Sequence, residues 1–239
     1  MKKDSLNCYD LIKKIEEIRN LSIDNQTEIN AIYSYLPKND ARITAFSKFI
    51  NVLNSLHFSF TFIERHLTHS LWWNRNISTL LSIEDKRLYV KEFENFTKVG
   101  FVSVQFSSIE SSLRLFLRAI DPHACKNSTA AFDSIYKCLL CKLNTKPTDG
   151  AELLDLFREV RNTIHNNGVY FNNNGNSKNL TWEGKTFEFN HGTRVSFVTW
   201  DFLILISESL RLLLMEILKD IYIKGIDVIV DPFAIDHTP

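Results

Sequence analysis

Apolar residues recur at spacings of three and four through most of this chain. Ile43, Phe46, Phe49, Ile50, Leu53 and Leu56 form one stripe between Ala41 and His66. Val102, Phe106, Ile109, Leu113, Phe116 and Ile120 form another, inside a long pattern from Glu84 to Ile120 that Gly100 could interrupt. A third runs through Leu153, Leu156, Phe157, Val160 and Ile164. This period predicts amphipathic helices. A shorter helix is expected from Ala130 to Leu143. The segment Asp201 to Lys224 is apolar on several sides and reads as a central helix. Alternation appears at Thr181 to Phe189 and Thr193 to Val198, a candidate hairpin turned at Asn190-His191-Gly192.

Breaks fall where turn chemistry predicts them. Leu36-Pro37-Lys38-Asn39-Asp40 ends the first pattern, with Asp40 as a candidate N-cap. Asp121-Pro122 and Pro147 to Gly150 mark two more. Leu71-Trp72-Trp73-Asn74 reads as a connector, and Asn172 to Ser177 as a mobile polar loop. Residues 1–39 are expected to form an N-terminal amphipathic arm, 40–226 a helical domain, and 227–239 a tail that is weakly ordered or packed on the surface. Only 7 Gly and 5 Pro in 239 residues disfavour a many-turned β fold. The expected class is mainly α: a bundle of four to five core helices with a small β-hairpin before the last helix.

Charge and cysteine narrow the function. A formal net charge of zero argues against a protein that coats nucleic acid non-specifically, so any RNA contact must be a local site. The four cysteines show no secreted framework, and Cys138-Leu139-Leu140-Cys141 stands in a helical pattern without a second pair, which favours packed thiols over a metal site. His57, His66 and His69 lack acidic or Cys partners at zinc-site spacing, and His191 sits in turn chemistry. No glycine-rich phosphate loop is present. No metal or cofactor is expected. The apolar run after Phe202 is interrupted by Ser207, Glu208, Arg211 and Glu216, too often for a membrane span. Met1-Lys2-Lys3-Asp4 leads into a charged stretch rather than a signal peptide, so a cytoplasmic location is expected.

The candidate chemistry lies at the end of the third stripe. At roughly 100° per residue, Arg158 and His165 project about 20° apart, and Arg161 about 40° to the other side of His165. Glu152, Asp155 and Glu159 project to the opposite flank. Asn166-Asn167-Gly168 then supplies a helix stop. An imidazole suits proton transfer near neutrality, and guanidiniums suit contact with a phosphate. Asn162 or Thr163 could add a hydrogen bond. The plain alternative is a helix-terminal His facing the dipole, with solvated or carboxylate-paired arginines.

Arg158, six intervening residues and His165 resemble the signature of HEPN ribonucleases, the higher eukaryotes and prokaryotes nucleotide-binding family. Arg161-Asn162 departs from the usual pattern, since that Arg stands four rather than five residues before the His. The principal arginine is therefore Arg158 or Arg161. Phe106-Ser107-Ser108-Ile109-Glu110-Ser111-Ser112-Leu113-Arg114 also looks like HEPN proteins, in which such a carboxylate often faces the Arg/His helix. A plain Glu110–Arg114 surface pair reads the same residues equally well. The resemblance covers residues 40 to 223. It implies a metal-independent endoribonuclease, as in toxin–antitoxin or antiviral defence systems, with catalytic Arg158, Arg161 and His165 and supporting Asn162, Asn166, Glu110 and Arg114. It also implies a homodimer with a composite cleft, and a possible antitoxin or regulatory partner. Leu154, projecting between Arg158 and Arg161, is a candidate for the two-fold contact. The alternative is a catalytically silent HEPN module binding RNA, nucleotide or a protein partner as a scaffold.

Overall fold

The computed structural model describes residues 8–124 and 131–234. The described residues are mainly helical with one two-stranded antiparallel hairpin. In chain order the elements are α1 (Cys8–Ile32), α2 (Ala41–Phe62), α3 (Ser70–Asn76), α4 (Ile83–Ile120), α5 (Phe132–Lys142), α6 (Gly150–His165), β1 (Lys178–Trp182), β2 (Lys185–Phe189), α7 (Trp200–Lys219) and α8 (Ile221–Lys224). Cys125 and Ala130 lie outside the described residues.

The stripes read from the sequence meet in one core. α1 packs on α2 and α7, α2 on α4, and α4 on α5 and α6; α6 also touches β1 and α7. Phe46, Leu53, Phe60, Val102, Phe116, Phe157, Val160, Ile206 and Ile217 are fully buried. Each such side chain contributes about 1.5–3 kcal/mol by leaving water. The segment expected as an arm is a 25-residue helix, and its Leu11, Ile15, Ile18 and Ile29 belong to the same core.

Four local expectations shift. α4 passes Gly100 without a break: a Ser82–Asp85 capping box starts it, and packed Phe101, Val102 and Phe106 outweigh a glycine penalty of about 1 kcal/mol. The connector at Leu71 is instead the short helix α3, reached through a π-helical turn at Ile63–Leu67; the Trp73 indole donates to the Leu67 carbonyl at 2.8 Å. The hairpin turns at Glu183-Gly184, both at positive φ (48° and 71°), one turn earlier than expected. Asn190-His191-Gly192 does turn the chain, but returns it to residues 169–170: Tyr170 N–H donates to Thr193 O at 3.0 Å and Gly192 N–H to Tyr170 O at 2.8 Å. The final helix stops at Asp220, which caps α8 and accepts from Thr145 N–H.

The C-terminal segment is clasped to the start of α2. Asp40 caps α2 and forms a fully buried ion pair with Arg42, Oδ2 to Nη2 at 2.8 Å. Arg42 Nη1 donates to the carbonyls of Ile223 and Ile226, Arg42 Nη2 to that of Asp227, and Asp40 accepts from Ile229 N–H. Asp231 is buried and pairs with Lys48 at 2.6 Å. The described part of the tail is therefore packed, not loose.

Candidate functional site

α6 runs antiparallel to α4: Phe157 packs on Phe106, the Arg161 guanidinium lies 5.2 Å over the same ring, and His165 Nε2 is 3.4 Å from Ser103 Oγ. The end of α6 is fixed by its cap. Gly168 N–H reaches back to Thr163 O at 2.9 Å and Asn167 N–H to Ile164 O at 3.1 Å, with Asn167 and Gly168 at positive φ. His165, Asn166 and Asn167 are exposed just before this stop. Thr163 is buried and donates to Glu159 O, so it is a helix residue rather than a free hydroxyl.

The two arginines have different environments. Arg158 forms ion pairs with Asp133 of α5 at 2.9 Å, Glu159 at 2.9 Å and Asp155 at 3.5 Å. Tyr136 donates a short hydrogen bond to Asp155, and Lys178 of β1 pairs with Glu159 at 3.0 Å. Burial alone would lower the Arg158 pKa, but Glu159 with Tyr136 and Asp133 raises it. Burial pushes the Asp133 carboxyl up, and the Arg158 charge and hydrogen bond bring it below the usual range. The expectation that Asp155 and Glu159 stand away from the basic group is thus corrected, because the long Arg158 side chain reaches across the helix to them. Arg161 differs. Among the described residues it has no carboxylate partner: its Nη1 meets Asn162 Oδ1 at 3.2 Å and its buried Nε has no hydrogen-bond partner.

Glu110 and Arg114 pair with each other at 2.8 Å along α4, the plain i, i+4 reading. Leu154 is fully buried in the chain's own core and cannot be the exposed two-fold contact. Cys138 is half-buried and Cys141 exposed, so the packed-thiol expectation fails for Cys141. His57 meets Glu16 at 2.9 Å, and His191 Nδ1 accepts from Asn172 N–H.

Two hollows lie near His165, which lines neither. One, of about 620 Å³ between α2 and α4, is lined by Ser103, Ser107, Ser111, Thr44, Lys48 and Asp231 among others. The other, of about 220 Å³, is lined by residues on both sides of His165 (Thr163, Ile164, Asn167, Gly168), by Glu92, Asn95, Lys98 and Val99 of α4, and by Arg194, Val195 and Val198. Lys98, Ser103 and Arg194 have no local signature, since only the packing of α4 and the 190–198 segment brings them to α6. Burial holds the Lys98 pKa below its ordinary value; Glu94 opposes this and Arg194 adds to it.

No family model, curated protein or solved structure matches this chain. No helix among the described residues is long and apolar enough to cross a membrane.

Proposed function

We propose that the end of α6 is the site of a metal-independent endoribonuclease of HEPN type, with His165 and Arg161 as its working pair. The observation that carries this reading is the contrast between the arginines. Arg158 is neutralised by three carboxylates, while Arg161, one turn before an exposed His165, has none among the described residues. A guanidinium without an anion beside an accessible imidazole suits a phosphodiester. His165 takes the proton of the ribose 2′-hydroxyl, the 2′-oxygen bonds to phosphorus, and the bond to the 5′-oxygen breaks. The products are a 2′,3′-cyclic phosphate and a 5′-hydroxyl, which needs one proton. Asn162 steadies Arg161, and Asn166 lies at the exposed edge for a backbone contact.

One imidazole supplies the base but not, at the same moment, the acid on the far side of phosphorus. A homodimer in which His165 of a second copy faces the first across a two-fold axis would supply it. Such an enzyme, acting as a toxin or anti-phage effector in the cytoplasm, would be restrained by a protein antitoxin or regulator. The test is cleavage of RNA in EDTA, with end-group analysis and a His165→Ala control. The second reading, an RNA-binding scaffold without cleavage, is favoured by one observation: Arg158, the arginine at the family's spacing, is fully engaged. RNA binding without cleavage by the native chain would select it.

A further inference from the structure

We infer that the 220 Å³ hollow beside His165 is a guanine pocket that selects the nucleotide next to the scissile phosphate. This rests on the ribonuclease reading for its place in the reaction, but the pocket itself stands on its lining. Its walls are of two kinds. Val99, Ile164, Val195 and Val198 offer apolar surface of the kind a base face covers. Glu92 offers a carboxylate, Lys98 and Arg194 offer donors, and Asn95 and Asn167 offer amides that do both. Apolar faces with mixed polar edges are what recognition of an unstacked base requires.

The polar set points to one base. A simple phosphate site would not place Glu92 and the electronegative end of α6 in the same hollow. Guanine carries N–H donors on its Watson–Crick edge, which a carboxylate accepts, and the O6 and N7 acceptors that Arg or Lys reads. Adenine would turn its N6 donor towards the cations, and neither pyrimidine offers both groups at that span. Arg194 is exposed, with no hydrogen-bond or ion-pair partner among the described residues, and its side chain passes within 3.6 Å of the position a Cβ on Gly168 would take. That guanidinium is available, and the α6 cap, with Gly168 at φ 84°, lies against it. The floor is rigid, because the α6 cap and the Val169–Arg194 bridge hold both sides: Val195 N–H donates to Gly168 O at 2.9 Å.

The pocket also has the right address. Its lining residues Ile164 and Asn167 bracket His165 in the chain, and Val99 stands one turn before Ser103, the neighbour of His165. His165 and Arg161 do not line the hollow themselves, so in this proposal it is the phosphate of a seated base that would extend out of the hollow towards them.

The test titrates the full-length protein with the 3′-monophosphates of guanosine, adenosine, cytidine and uridine, followed by NMR; none of these can be cleaved, so the readout is independent of activity. The expected result is tighter binding of the guanosine nucleotide by about tenfold or more. Arg194→Ala and Glu92→Gln, both at exposed positions and checked for unchanged circular dichroism, should each abolish that preference. Mapped cleavage of single-stranded RNA should then fall beside G, which separates a base within RNA from a free guanine nucleotide. Equal binding of the four, preference for another base, no shift at millimolar concentration, or a preference that survives both variants overturns the pocket. Guanosine selectivity without RNA cleavage leaves the pocket and removes the ribonuclease reading; cleavage without it does the reverse.

Discussion

At the scale of single residues, the distinction that matters is between two arginines three positions apart. A helical projection puts both beside His165, yet a projection carries no information on where a long side chain ends. Arg158 turns to Asp133, Asp155 and Glu159, so removing it leaves three carboxylates without their shared cation. Arg158→Ala is expected to cost about 2 kcal/mol of stability, seen as a lower denaturation midpoint. Arg161→Lys should leave the midpoint nearly unchanged and lower RNA cleavage, because the planar fork is lost. The opposite pattern, stability lost at Arg161 and activity lost at Arg158, would reverse the assignment.

At the scale of elements, the long helices were legible because their apolar residues keep one period for many turns, and what lay between them was less so. Gly100 reads as a break in isolation, but a Cβ there meets nothing within 4 Å and the helix continues. Gly100→Ala should therefore stabilise α4 by up to about 1 kcal/mol, measured as a rise in melting temperature; a fall would show that the glycine is required. The hairpin was misplaced because Glu183 occupies a positive-φ position where Asn is the usual signal, while Asn190 and Gly192 carry that signal at a different turn. The candidate site was half legible. Arg161 and His165 share one helix and so appear as a spacing, whereas Ser103, Lys98 and Arg194 reach it only through tertiary packing.

At the scale of the whole molecule, the chain is closed by polar contacts that no periodicity announces. The Asp40–Arg42 pair has no exposed surface and ties the start of α2 to residues 223–229. Truncating one partner strands a buried charge, so Arg42→Ala should cost about 3–5 kcal/mol; a loss under about 1 kcal/mol, the range of exposed pairs, would contradict the clasp. Acid acts on related groups. Burial pushes the Asp231 carboxyl up, but hydrogen bonds from Lys48 and Thr44 and the Lys48 charge hold it below the usual range, as Arg158 does for Asp133. A carboxyl depressed in the folded state adds stability above its unfolded pKa and loses it as pH falls through the folded one. Melting temperature should accordingly drop below about pH 4, and a melting temperature unchanged by acid would contradict this. The proposed dimer belongs to this scale as well, with a light-scattering mass of two chains in the state that cuts RNA as its expected result.

The most direct test of the central claim is an RNA cleavage assay in EDTA with purified wild-type protein and His165→Ala, reading the chemistry of the new ends. The account predicts 2′,3′-cyclic phosphate and 5′-hydroxyl ends from the wild type, and a loss of about 10²–10⁴-fold in the variant, the range of a general acid–base group. Cleavage that requires added Mg²⁺, or an equal rate in His165→Ala, would contradict it.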